Sequence, residues 1–536
     1  LQAVILSTKD RIVKVSVHYI ERQEVVMNFG RVIRRNFIAL VIGLGVVACQ
    51  SGSDALAPST TRDTEIATLL APSPTVQMTM TFELPTEEVT PTPGRPSFGD
   101  ETLTKYVLRI RLFPAQHQAE VEEVIRWVND TGGAREELPL VIEAARYPNG
   151  FEWLSAMQGE QTLTLEPEMV NVWKIKGMFP VAEGEMTELT LNYRLNLPEI
   201  PPPSDTAKPQ IYGYTLRQIN LVDWYPFIPP FKDNEWLVHP PGYFGEHQVY
   251  PVSDYEVVLE ILDSSGEWLV AASAMGEMDS EGRFHFSLQR ARNFVLSLSP
   301  DYQINETTVN NIRVASYYFK ENASAGEAAL QATAQALELY SKLFSPYSRA
   351  QLSLVEADFL DGMEYDGLYF LSKGFYNLYD GTPQGYLTMI AAHETAHQWW
   401  YSQVANDQAL HPWLDEALCT YSERLFYENY YPDLVTWWWF YRINYYQPAG
   451  WIDGSIYDYA GYQAYRNAVY LRGAQFFEDL RRAIGEEAFF AALSDYAQQY
   501  NGKIASPSDL LDLFRRHTTS DLDTLLRQYF SSFSSQ

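Results

Sequence analysis

From about residue 100 to 305, apolar and polar side chains mostly alternate. Tyr106-Val107-Leu108-Arg109-Ile110-Arg111-Leu112, Leu189-Thr190-Leu191-Asn192-Tyr193 and Tyr255-Glu256-Val257-Val258-Leu259-Glu260-Ile261 follow the two-residue period of strands. Prolines cluster between such runs, at 198–203 and 226–230. This stretch predicts a mainly β domain with long loops, in which 118–128 also admits a helix. Past about 310 the period lengthens. Gly326 to Leu343 is Ala-rich with apolar residues at helical spacing, and Ala350–Ala357 has strand character. Helices are predicted over 386–403, near 413–428, and over 468–484, 486–500, 507–516 and 521–532. The second half therefore predicts an α-rich domain with a short mixed sheet. There is no clear internal repeat.

The first 98 residues follow neither period. Met27 precedes Arg31, Arg34 and Arg35, and an apolar run extends from Phe37 to Ala48. Twelve residues suit the apolar core of an export signal and are too short to span a bilayer comfortably. The run closes in Val46-Val47-Ala48-Cys49, which resembles a bacterial lipobox; that resemblance implies cleavage before Cys49 and lipidation of its thiol. An ordinary signal peptide or short anchor with a chance Cys is the alternative. Residues 1–26 precede a complete-looking signal and read as an over-extended gene start. Residues 50–98, rich in Ser, Thr and Pro, read as an extended tether. The expected organisation is a leader and signal over 1–48, a tether over 49–98, a β domain over 99–308 and an α-rich domain over 309–536. The expected location is outside the cytoplasm, at the cell surface or in the periplasm, with the membrane reached through the lipid on Cys49.

Charge narrows the partners. The 39 basic and 68 acidic residues give a net charge of -29. Before residue 49 lie seven basic and three acidic residues, so the remainder carries 32 against 65, or -33. Such a surface repels nucleic acid and anionic lipid. With Cys49 lipidated, Cys419 has no partner and no disulfide framework exists. Cys419 reads as a buried apolar side chain, with metal binding as the alternative.

The chemistry concentrates in Ala391-Ala392-His393-Glu394-Thr395-Ala396-His397-Gln398-Trp399-Trp400 and Trp413-Leu414-Asp415-Glu416-Ala417. Two His four apart project from one helix face and can reach one metal ion. Glu394 points beside that metal, where a water would sit. A second helix can return Glu416 as a third ligand. Two His and a carboxylate with one open position form the ligand set of a hydrolytic zinc site holding a single ion. Zinc lowers the pKa of its water toward about 7, and Glu394 can take the proton and pass it to a leaving nitrogen. An oxyanion stabiliser is needed, and pattern alone does not choose it among 36 Tyr. Glu423, seven residues past Glu416, either orients a ligand or lies in solvent. The aromatic run 437–441 reads as core, with a cleft wall as the alternative.

Four ordered segments resemble the M1 (gluzincin) metallopeptidases, the family of the membrane alanyl aminopeptidases. Leu360-Asp361-Gly362-Met363-Glu364-Tyr365-Asp366-Gly367-Leu368 is similar to the family's Gly-Ala-Met-Glu-Asn-x-Gly-Leu strand. The zinc motif continues with Gln398-Trp399-Trp400. Trp413 to Ala417 is similar to Trp-Leu-Asn-Glu-Gly, and Val469 to Ala474 to the Tyr-x-Lys-Gly element. Asp223-Trp224-Tyr225-Pro226 and Asp254 to Val257 weakly resemble the family's N-terminal domain. The resemblance covers roughly 100–530 and implies a saddle-like, mainly β domain followed by a thermolysin-like zincin domain. It implies His393, His397 and Glu416 as zinc ligands, Glu394 as general base, Tyr470 as oxyanion stabiliser and Glu364 as the carboxylate that grips the substrate's free α-amine. Asp361, Gly362, Tyr365, Asp415 and Arg472 depart from the family's pattern without removing a ligand or the base. The chain ends soon after the zincin domain, where the resemblance leads one to expect a closing helical domain, so an open cleft is expected.

The function these features predict is zinc-dependent hydrolysis of peptides outside the cytoplasm, by an aminopeptidase with no obligate protein partner. An endopeptidase of the same fold and a catalytically silent surface binding protein are the alternatives.

Overall fold

The computed structural model describes residues 102–202, 209–264 and 266–534. The leader, Cys49 and the tether expected over 1–98 lie outside these residues. Among the described residues no helix is long and apolar enough to cross a membrane.

The N-terminal part is β-rich. Its main sheet is built on β1 (Thr104–Phe113), β2 (Gln118–Val128), β3 (Phe151–Gln158), β4 (Met186–Asn196), β5 (Ser253–Ile261) and β6 (Phe284–Ala291). The order is β6-β5-β1-β2-β4-β3, with short strands Gly276–Met278 and Gln161–Thr162 at the two edges. β1 and β5 run parallel, and the other neighbours are antiparallel. The helix admitted over 118–128 is a strand. Ala119, Val121, Glu123, Ile125 and Trp127 point inward, and Arg109–Glu122, Arg111–Glu120 and Arg126–Glu188 pair across strands outside. An inward carboxylate at Glu123 interrupts the alternation that marks the other strands. Hydrogen bonding to β1 and β4 on both sides decides the outcome over local propensity.

A five-stranded sheet follows: β7 (Tyr302–Val309), β8 (Ile312–Phe319), β9 (Gln351–Ala357), β10 (Gly362–Tyr365) and β11 (Leu368–Ser372), in the order β7-β8-β9-β11-β10. The position 308/309 falls inside the β7–β8 hairpin, whose eight-residue register makes it one piece of this sheet. Strands β8, β9 and β11 are buried on both faces. Leu352, Leu354, Tyr369 and Leu371 join a core shared with the helices, while Val355, Ala357, Leu368 and Phe370 join the core of the β-rich part. Alternate residues of β9 and β11 thus serve two cores, which is why β11 is apolar from Leu368 to Leu371 and why even the polar Gln351, Ser353 and Glu356 of β9 are buried. Both parts belong to one compact unit.

The helical layer comprises α1 (Ala323–Leu343), α2 (Tyr386–Ala396), α3 (Glu416–Tyr430), α4 (Gly473–Ile484) and α5 (Glu486–Gln499), followed by short helices to Ser534. α2 packs on α1 and α3, and α3 packs on α4. α2 ends at Ala396, sooner than the apolar pattern to 403 suggests. Gly473 lets α4 approach α3: a Cβ there would lie 2.3 Å from the Ala417 Cβ. Cys419 is buried and forms no disulfide among the described residues.

Candidate active site

The buried face of α2 and the first turn of α3 meet above the edge strand β10. His393 lies in the last turn of α2, and His397 caps it with near-helical backbone, its N–H bonded to the His393 carbonyl at 3.3 Å. Both rings are therefore one turn apart on one face, with centroids 4.9 Å apart. Glu416 opens α3, where the Asp415 side chain accepts its N–H at 2.8 Å. Glu416 Oε2 lies 3.2 Å from His393 Nε2 and 3.6 Å from His397 Nε2.

These separations fit a metal. Bonds of about 2.0–2.1 Å in a tetrahedron place ligand atoms about 3.3 Å apart. The one-atom-per-residue set His393, His397 and Glu416 is buried and mutually within 4.8 Å. The other ring nitrogens are already committed. His393 Nδ1 donates to Glu423 Oε1 at 2.9 Å, and His397 Nδ1 donates to the Trp400 carbonyl at 3.1 Å. This leaves both Nε2 atoms facing the Glu416 carboxylate, the arrangement that outer hydrogen bonds impose on zinc-ligating imidazoles. Glu423 is fully buried, held by Trp438 Nε1 at 3.1 Å and by Arg442 at 2.8 and 2.9 Å, so the solvent-facing alternative for it fails. The run 437–441 divides: Trp438 is core, whereas Phe440 and Tyr441 are exposed.

Electrostatics follow from this packing. Burial lowers the His393 pKa, but hydrogen bonds to Glu416 and Glu423 outweigh it and leave the ring raised to about 9. Burial raises Glu416, yet the two imidazoles bring it down to about 2. A pocket with this polarity attracts a cation that replaces the imidazole protons.

Glu394, also buried, projects from the same helix. Its Oε2 has no hydrogen-bond partner, and burial pushes its carboxyl well above the usual range. Gly362 cradles it: a Cβ at that position would lie 2.0 Å from Glu394 Oε1. An orphaned carboxylate oxygen aimed at a cation pocket suits a proton acceptor for a water held there.

Tyr470 approaches from the other side, in a wide π-helical turn (Asn467–Arg472) that leads into α4. Its hydroxyl donates to Glu416 Oε1, and its ring lies parallel to His393 at 6.0 Å. Burial, and next the Glu416 charge, keep that hydroxyl protonated far above neutrality. Glu364 sits on β10, also buried, where Gln408 Nε2 donates to it at 3.1 Å and to Asp415 at 3.0 Å. Glu364, Glu394 and His397 form a second close set, so the β10 carboxylate borders the metal pocket. The structure thus brings His393, Glu394, His397, Glu416, Tyr470 and Glu364 together. Gln408 is a site residue that sequence reasoning missed; it lies in a loop with no motif around it. Cys49 lies outside the described residues.

Residues 328–529 match the model of the peptidase family M1 domain. Aminopeptidase M1-D of Oryza sativa subsp. japonica is 28% identical over 218 residues, covering 38% of this chain and 24% of that protein. Endoplasmic reticulum aminopeptidase 1 of Homo sapiens is 24% identical over 260 residues, covering 46% of this chain and 28% of that protein. The chain thus spans about a quarter of the length of these curated relatives. The crystal structure of an M1 zinc metallopeptidase from Deinococcus radiodurans superposes with a TM-score of 0.58 at 17% identity, covering 82% of this chain and 96% of that one. A mutant of the Deinococcus radiodurans M1 zinc metallopeptidase, bound to a Tyr-Ser-Ala substrate, superposes with a TM-score of 0.57, also at 17% identity, covering 81% and 95%. The chain has the two-part fold of these metallopeptidases, β-rich and then α-rich.

Proposed function

We propose that the protein is a zinc-dependent aminopeptidase acting on peptides. The observation that carries this reading is the buried convergence of His393 Nε2, His397 Nε2 and Glu416 Oε2 beside the unpartnered Glu394 carboxylate. The match of residues 328–529 to the M1 peptidase domain supports it. Zinc on these three residues would supply an acidified water and polarise the scissile carbonyl.

The remaining work falls to the chain's own groups. Glu394 accepts the proton of the attacking water and delivers it to the departing amine. Its isolation from protein donors leaves an oxygen available for that proton. Tyr470 turns its hydroxyl from Glu416 to the substrate oxygen as negative charge develops there. Gln408 fixes Glu364, which takes the substrate's α-ammonium and sets the first peptide bond at the site. Burial of Glu364, Glu394 and Glu416 lowers the local dielectric and strengthens each of these contacts.

The order of basic residues, apolar run and Cys49 supports export and lipid anchoring. Loss of membrane association in Cys49→Ala checks that part; equal membrane fractions for both proteins would contradict it.

The enzymatic reading is tested with paired peptides, one with a free and one with an acetylated N-terminus. Wild type should release the first residue of the free peptide alone, and Glu394→Gln should lose at least about a hundredfold in kcat with zinc retained. Cleavage of both peptides at internal bonds would favour the endopeptidase, and equal rates in wild type and variant would reject the mechanism.

A further inference from the structure

β10 is the edge strand of its sheet, and Glu364 and Gly362 mark two points along it. In the proposed reaction the substrate's α-amine sits at Glu364 and its first peptide bond beside Glu394, whose Oε1 abuts Gly362. The line from amine to scissile bond therefore runs from Glu364 toward Gly362, and the rest of the peptide leaves past Asp361. Tyr462 closes on this end of β10. Its hydroxyl donates to Asp361 Oδ2 at 3.1 Å, while Asp361 Oδ1 accepts the Gly362 N–H at 3.1 Å.

Arg466 ends the short helix Tyr462–Arg466, which runs directly into the π-helical turn bearing Tyr470. Residues four apart share a helix face. Arg466 thus lies between a tyrosine bonded to Asp361 and one bonded to Glu416. Its guanidinium covers the Tyr446 ring at 4.1 Å from the centroid. The Tyr446 hydroxyl is 3.0 Å from that of Tyr386, which opens α2 about two turns before Glu394. Burial and then Asp361 keep the Tyr462 hydroxyl protonated, and Arg442 and Arg466 oppose them, so the Arg466 charge is felt at the end of β10.

The two cations differ in what they hold. Arg442 is committed to Glu423 at 2.8 Å. Among the described residues Arg466 forms no ion pair; its Nε and Nη2 donate to Asn467 Oδ1 at 3.3 and 3.0 Å. A guanidinium plane steadied on an aromatic ring, with donors to spare, matches a carboxylate in two-point geometry. Phe440 and Tyr445 are exposed nearby, and Tyr445 packs edge-on against Tyr446 at 5.2 Å. One helical turn is about 5.4 Å, and an extended residue spans about 3.3 Å. A carboxylate held by Arg466, one turn from Tyr470, therefore belongs about one or two residues beyond the scissile bond.

We infer that Arg466 binds the C-terminal carboxylate of short peptides, so that di- and tripeptides are the substrate class. The inference rests on the aminopeptidase reading, which sets the amine at Glu364 and the direction of the chain.

The test reads binding apart from turnover. Leu-Gly-Gly and its C-terminal amide are titrated by calorimetry into the zinc-loaded full chain of Glu394→Gln. The free acid should bind at least about fivefold tighter than the amide. That advantage should vanish when Arg466→Gln is added, and it should be much smaller in Leu-Gly-Gly-Gly-Gly. Equal affinity for acid and amide, an advantage that survives Arg466→Gln, or one equally large in the pentapeptide would overturn the inference. Should Arg466→Gln bind neither peptide, Arg466→Lys decides: a reduced advantage supports the assignment, and an undiminished one overturns it. Hydrolysis of leucine p-nitroanilide, which has no carboxylate, reports on the aminopeptidase reading separately. Turnover of it by wild type with equal acid and amide affinities sinks the Arg466 assignment alone. A clear acid advantage without any turnover sinks the hydrolytic reading alone.

Discussion

His393 and Glu423 are joined by a 2.9 Å hydrogen bond that fixes which imidazole nitrogen faces Glu416. Glu423 is itself locked by Trp438 and Arg442, so the ring's orientation is set by a chain of buried contacts two residues deep. Replacing Glu423 with Gln keeps the shape but removes the charge that holds the Nδ1 proton. Zinc affinity should fall about 10–100-fold, read by competition with a chromophoric chelator. An unchanged affinity would show that the pair does not support the metal.

Tyr470 bonds to Glu416 Oε1, and its ring stacks on His393. Tyr470→Phe keeps the ring and removes the donor. The expected outcome is a fall in kcat of about 10²–10³ with little change in zinc content. A loss of zinc with kcat per bound metal unchanged would instead assign Tyr470 to ligand support.

Gly473 sits where α4 meets α3, and an added Cβ would lie 2.3 Å from that of Ala417. Neither backbone can yield without moving Tyr470 relative to Glu416. Gly473→Ala should cost about 1–3 kcal/mol of stability and lower kcat as well. Denaturant unfolding checks the first effect and steady-state kinetics the second; wild-type values for both would contradict the close approach.

Glu143 gives a pH signature. Burial raises its pKa, but His247 and Arg146 outweigh this and bring it to about 2. A depressed carboxylate contributes stability above its unfolded value of about 4.5 and loses it as pH falls toward 2. Glu143→Gln should therefore destabilise by roughly 2–3 kcal/mol near pH 7. The gap should narrow steadily below pH 4.5. Urea midpoints of both proteins at pH 7 and pH 3 test this, and a gap that widens in acid would reverse the sign.

Much of the site was legible because its members come in short motifs. His393, Glu394 and His397 share a helix turn, and Glu416 and Tyr470 sit in recognisable neighbourhoods. Glu423 carried a spacing signal only, and its role became decidable once Arg442 and Trp438 were seen around it. Gln408 carried none, because its contacts with Glu364 and Asp415 depend on loop geometry. In the fold, the helices and β9 followed their periods. β2 did not, because Glu123 faces inward among apolar side chains and breaks the alternation. The early end of α2 was hidden too: Trp399 and Trp400 are buried whether or not the helix continues, so apolar pattern does not locate the stop.

The central claim is that His393, His397 and Glu416 hold one zinc ion. Metal analysis of dialysed wild type and His397→Ala, side by side, tests it most directly. About one zinc per chain in wild type and almost none in the variant is the predicted result. Zinc absent from wild type, or present equally in both proteins, would contradict it.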